Sequence, residues 1–182
     1  MDFQASIAGS LAPNDILDNL SLVQVEYFGF DNLIHFGQLV IHKDLADEIK
    51  TIFQKLSQAR FPIEKVIPIV AYNWDDQLPM EDNNCSAFNY RLIAGTNKLS
   101  NHSFGRAVDI NPKLNPYISQ NGAVKPAIST YEPKMKGAII DGDIVVQTFN
   151  QYGWQWGGHW GETRGYFDYH HFQKNVGTLD NS

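Results

Sequence analysis

Hydrophobic and polar positions alternate along the first part of the chain. Between Leu22 and Phe28, Val23, Val25 and Tyr27 stand against Gln24 and Glu26, the period of a strand with one buried face. Asp31-Asn32 is a turn signal, and Leu33 to Ile41 reads as the returning strand of a hairpin. The period then changes. From Lys43 to Arg60, Leu45, Ile49, Ile52, Phe53 and Leu56 recur at three- and four-residue steps, which predicts a helix with one apolar face against a sheet. Phe61-Pro62 ends it. Lys65 to Val70 predicts another strand, with Pro68 making it an edge or irregular one, and Ser86 to Ala94 a further one. A second helix is expected from Asp143 to Tyr152, with Ile144, Val145 and Phe149 on one side and Gly153 as the stop. Residues 1–20 are polar and irregular, a lead-in with a short helix from Asp15. The order of elements predicts an α+β fold over residues 21–182, helices packed on a mostly antiparallel sheet.

Composition narrows the class. A chain of 182 residues is long enough for one domain with a real core. Net charge is −6 and Lys and Arg form no cluster, which disfavours nucleic acid and anionic membranes as partners. No apolar run approaches the ~20 residues of a membrane span. The first ten residues lack the basic start and apolar core of a signal peptide, so the chain is either cytoplasmic or written without its leader. The single cysteine, Cys85, excludes an internal disulfide and a Cys-rich metal site; it reads as a small packed side chain. Asp75, Asp76, Glu81 and Asp82 lack the spacing and central glycine of a calcium loop and read as a solvated loop beside a cleft. His35 and His42 have no partner at ligand spacing. Pro112 to Lys136 carries four prolines and reads as a long ordered loop, a kind that is often functional.

Two stretches carry chemistry. In Ser100-Asn-His-Ser-Phe-Gly-Arg-Ala-Val-Asp109, His102 and Asp109 lie seven positions apart. Val108 and Ile110 alternate with Ala107, Asp109 and Asn111, so this is a strand. An odd offset would put His102 and Asp109 on opposite faces. A turn at Ser103-Phe104-Gly105, where glycine admits unusual backbone angles, must therefore carry His102 back over Asp109. Near the other end come Trp156-Gly-Gly-His-Trp160 and Phe167-Asp168-Tyr-His-His171-Phe172. Two histidines, an aspartate and a spare acid are what a one-zinc hydrolase needs. Neighbours on an extended segment point to opposite sides, so one of His170 and His171 should reach the metal. Trp154, Trp156 and Trp160 suit either a core or the walls of a peptide cleft.

The pattern Ser100-x-His102-x-x-Gly105-x-Ala107-x-Asp109 with Asp168-x-x-His171-Phe172 resembles the zinc D-alanyl-D-alanine carboxypeptidases. That family includes L-alanyl-D-glutamate endopeptidases and vancomycin-resistance dipeptidases. The likeness runs from about Asp31 to Phe172, with Ser86 to Thr96 as a third block. The resemblance implies the fold shared with lysostaphin-type and Hedgehog domains. It also implies one zinc on His102, Asp109 and His171, with Asp168 as general base and Arg91 as the cation that orients substrate. Ser100 and Trp156 are expected as substrate contacts. The implied partner is the peptidoglycan stem peptide, cut by a monomeric chain outside the inner membrane, which favours a removed leader. The alternatives are a zinc-binding recognition module of the same fold and a cytoplasmic dipeptidase. Two positions depart from relatives. His170 stands where many have proline and is expected at the surface; His159 replaces an aspartate and is a candidate for a second, inhibitory zinc.

Overall fold

A computed structural model describes residues 1–175. It opens with two short helices, α1 (Phe3–Ser6) and α2 (Asn14–Leu17), followed by the hairpin β1 (Leu20–Phe28) and β2 (Ile34–His42) and the helix α3 (Ala46–Gln58). Next come β3 (Lys65–Val66), α4 (Leu78–Glu81), β4 (Asn84–Cys85) and β5 (Ala107–Asp109). The chain then forms β6 (Tyr117–Ile118), β7 (Val124–Lys125), α5 (Ile144–Gln151), β8 (Gln155–Trp156), α6 (Gly161–Arg164), β9 (Phe167–Asp168) and β10 (His171–Gln173).

The hairpin follows from its pattern. β1 and β2 pair antiparallel from Leu20↔His42 to Phe28↔Ile34, and the turn holds Asn32 at φ +64° with Asp31 accepting from the Leu33 amide at 3.0 Å. Val23, Val25 and Tyr27 face inward with Leu39 and Ile41. Against them α3 sets Ile49, Ile52, Phe53 and Leu56, all fully buried. The opposite face of the hairpin is also covered. Leu20, Val40, Phe88 and Ala12 form a second, smaller core with Phe3, Ile7, Ile16 and Leu17 around it. The expected polar lead-in thus folds as two short helices and contributes apolar side chains to the molecule.

The expectation of one mostly antiparallel sheet needs correcting. Among the described residues the strands form four small sheets: β1-β2, β5-β10-β8, β3-β4 and β7-β6-β9, of which β3-β4 is parallel. Pro68 stops β3, and Ile69–Tyr72 turns into a 3-10 helix, because proline has no N–H for a ladder. Nor do residues 86–94 form a strand. Their backbone is shared among three neighbours: Asp109 N donates to Ser86 O (2.8 Å), Phe88 N to Val40 O (3.0 Å) and Asn89 N to His102 O (3.2 Å). The fold is α+β, and this segment ties its parts together. The long loop after Asp109 contains the β6–β7 hairpin.

Around the second helix the core is aromatic. Asp143 caps α5 by accepting from Val146 N (2.9 Å), and Gly153 ends it at φ +76°. Phe149 is fully buried and stacks on Phe172 at 4.1 Å, with Trp154 edge-on at 5.5 Å. Phe172 follows His171, so this stack supports β10. Phe149→Ala removes a fully packed ring, and we expect a loss of about 3–5 kcal/mol. Denaturant unfolding should record a lower midpoint at an unchanged slope. A loss below about 1 kcal/mol would show that the ring is not the support described.

Candidate metal centre

His102 sits on a 3-10 turn, Asn101–Phe104. Ser100 starts the turn: its hydroxyl accepts from the His102 amide at 3.3 Å. Gly105 ends it at φ +61°. A Cβ there would come within 2.6 Å of His42 N and 2.9 Å of Ile41 C, so both conformation and space require glycine. The chain then reverses into β5. Asp109 lies directly opposite His171 in the β5–β10 register, and residues paired in this way share a face. The turn supplies the third side chain from above.

Three atoms converge. His102 Nε2 lies 3.1 Å from His171 Nδ1 and 3.3 Å from Asp109 Oδ1, and His171 Nδ1 lies 3.1 Å from Asp109 Oδ1. The outer contacts assign the protons. His102 Nδ1 donates to the Ala87 carbonyl at 2.5 Å, so Nε2 keeps its lone pair. His171 Nε2 donates to Gln173 Oε1 at 3.2 Å, so Nδ1 keeps its own. Two nitrogen lone pairs and a carboxylate therefore face one point, and a cation is what relieves that arrangement. Tetrahedral zinc with donors at 2.0–2.2 Å has donor–donor separations of about 3.3 Å, close to those found. Among the described residues this is the one buried group of three His, Cys, Asp or Glu side chains able to hold a metal.

Electrostatics agrees with the geometry. Burial pushes the Asp109 carboxyl up, but charge on His102 and His170, and hydrogen bonds from His102 and His171 when those rings carry the proton, hold it well below the usual range. Burial opposes a charge on His171, while Asp109 and Asp168 raise its pKa. A proton and a metal compete for the same lone pairs.

Gln173 was not anticipated. It lies two residues beyond His171 on the same strand face, accepts from His171 and from Asn101 Nδ2 at 2.8 Å, and so orients the ring. The signal for it is a spacing of two from His171, a candidate ligand. Asn115 was likewise missed: it is fully buried, accepts from Ile139 N (2.7 Å) and donates to Gly137 O (3.0 Å), which anchors the loop after Asp109.

His170 is not at the surface. It is 4% exposed; Nδ1 donates to Asn115 O at 2.7 Å and Nε2 lies 3.0 Å from Asp168 Oδ1. Burial opposes its charge, yet Asp168 and Asp109 pull its pKa up to about 9. The same Nε2 is 3.9 Å from Asp109 Oδ1. One nitrogen thus bridges both carboxylates, so Asp168 lies within roughly 7 Å of the converging atoms. Gly157 allows this approach: a Cβ on it would come within 2.5 Å of Asp168 O.

The tryptophans divide. Trp156 does not line a cleft; it is 3% exposed, donates to Tyr169 O at 2.8 Å and packs on Phe172. Trp160, not Trp156, meets the centre, its ring 5.3 Å from that of His171. Ser100 is buried and occupied as the cap of the His102 turn. Arg91 is joined to the same turn, its amide donating to Ser103 Oγ at 3.0 Å, and its Nε pairs with Asp76 at 2.5 Å. The acidic loop is spoken for: Asp75 accepts from the Gln77 and Leu78 amides at 2.7 and 2.8 Å, and Asp82 meets Lys65 and Tyr72, both at 2.7 Å. His159 is exposed and pairs with Asp141 at 2.8 Å.

No curated protein and no solved structure matches the chain. Residues 94–174 match the model of a peptidase family described as D-alanyl-D-alanine carboxypeptidase. That span contains the turn, the strands β5, β8 and β10 and all three converging side chains, so the likeness to the D-alanyl-D-alanine carboxypeptidase family falls on the part of the chain that builds the centre.

Proposed function

We propose that the protein is a zinc-dependent peptidase that hydrolyses a peptide bond in the stem of peptidoglycan. The observation that carries this reading is the convergence of three deprotonated donors beside a second carboxylate. His102, Asp109 and His171 would hold the metal. Bound there, zinc would lower the pKa of water from ~15.7 toward ~7 and polarise the peptide carbonyl.

The chain's own groups complete the reaction. Asp168 accepts the proton of the attacking water and delivers it to the departing amine, the work of a positioned carboxylate. His170 holds one Asp168 oxygen at 3.0 Å and so limits how the carboxylate can turn. Arg91 offers a fork of donors to a substrate carboxylate or to the developing oxyanion. Ser100 acts through the His102 turn that it caps. Such a substrate lies outside the inner membrane; no helix among the described residues is long and apolar enough to cross one.

Purified muropeptides incubated with zinc-loaded protein, then weighed by mass spectrometry, test the reading. Loss of a single alanine identifies a carboxypeptidase; release of the fragment that begins with D-glutamate, with the L-alanine left behind, identifies an L-alanyl-D-glutamate endopeptidase. A chelator should stop either reaction. Intact muropeptides with fully zinc-loaded protein would favour a recognition module instead.

A further inference from the structure

An open hollow adjoins the candidate centre and has no part in the reaction above. It encloses about 560 Å³ between the β6–β7 turn and the end of α6, lined by Tyr117, Ser119, Gln120, Asn121, Arg164 and Tyr166. Two routes connect it to the centre. Trp160, 5.3 Å from the His171 ring, also carries the Arg164 guanidinium at 4.2 Å from its own ring centre. Arg164 therefore lies within roughly 10 Å of that ligand. By the other route, Tyr117 stands opposite Asp168 in the β6–β9 register, so their side chains share a face.

The cation is held in place. Tyr166 packs at 5.4 Å from Tyr117 and 5.8 Å from Trp160, and its hydroxyl accepts from Arg164 Nη1 at 3.3 Å. An aromatic face and a phenol restrict an otherwise exposed side chain, which lowers the entropy lost when it binds. The other lining residues offer hydroxyls and amides, and none of the six is acidic. On a chain of net charge −6, a general anionic peptide is repelled. A local guanidinium beside neutral donors is the means of accepting one.

We propose that this hollow is a subsite for a carboxylate of the peptide being cut, held by Arg164. The fork of a guanidinium matches a carboxylate with two parallel hydrogen bonds. An extended chain advances about 3.3–3.6 Å per residue, so a separation of roughly 10 Å places that carboxylate up to about three residues from the cleaved bond. Arg91 serves groups next to the bond, and Arg164 reads the chain further along. This inference rests on the peptidase reading of the same site.

The test compares two synthetic stem peptides, identical except that the carboxylate distant from the cut bond is free in one and amidated in the other. With zinc-loaded wild type, kcat/KM should favour the free acid by about tenfold or more, chiefly through KM. Arg164→Gln should bring that ratio close to one, and Arg164→Lys should retain part of it. A ratio near one in the wild type, or a ratio that survives Arg164→Gln, overturns the subsite. If the wild type cuts neither peptide, the peptidase reading fails, and calorimetric binding of the same pair then decides the subsite. Tighter binding of the free acid that depends on Arg164 retains it; equal affinities remove it.

Discussion

Asp109→Asn is expected to strip the protein of zinc and of activity while leaving it folded. The substitution keeps the shape of the side chain, and it removes the one negative charge among the three converging donors. Loss of an outer partner of a metal ligand already costs about 10–100-fold in affinity; loss of the anionic ligand should exceed that. After dialysis, metal analysis should give close to one zinc per wild-type chain and almost none in the variant. Stability supplies a second reading of the same change. A ligand at a hundred times its Kd stabilises the folded state by about 2.7 kcal/mol, so zinc should raise the wild-type Tm and leave that of Asp109→Asn where it was. A variant that retained stoichiometric zinc would remove Asp109 from the centre.

Asp168→Asn should produce the opposite pattern, with zinc retained and turnover lost. Asp168 is not among the converging atoms; it lies beside them, linked through His170 Nε2. Asparagine keeps an acceptor for His170 Nε2, so the local structure should survive. It cannot take a proton from water. Removal of a positioned general base costs about 10²–10⁴ in rate, and the deficit should appear in kcat rather than in KM. The two variants together separate holding the metal from moving the proton. Full activity in Asp168→Asn would exclude the carboxylate from the reaction.

The candidate ligands were legible because their constraints are local. The need for a turn between His102 and Asp109 follows from strand alternation, and Gly105 at φ +61° is that turn. The choice of His171 over His170 came from the family resemblance, and the β5–β10 register explains it by setting His171 opposite Asp109. His170 was misread because alternation says only that it points away from its neighbour. What lies on that side is Asp168, two residues back in the chain, and Asn115, brought there by a loop whose path leaves no periodic trace. The tryptophans show the same limit. Trp156 and Trp160 flank two glycines and a histidine, and nothing in their spacing tells that one stacks on Phe172 while the other faces His171.

From the sequence alone followed the elements that obey a single period: the hairpin, the helix α3 with its apolar face, the capped helix α5, and the turn that returns His102 to its strand. Backbone geometry imposes those periods within a few residues, so a short window contains the whole constraint. Only the tertiary structure decided that the strands divide among four small sheets, that residues 86–94 share their backbone bonds among three neighbours, that Gln173 orients His171, and that His170 bridges two carboxylates. Each of these depends on which distant segment satisfies a buried polar group, and that partner is chosen by the packing of the entire chain.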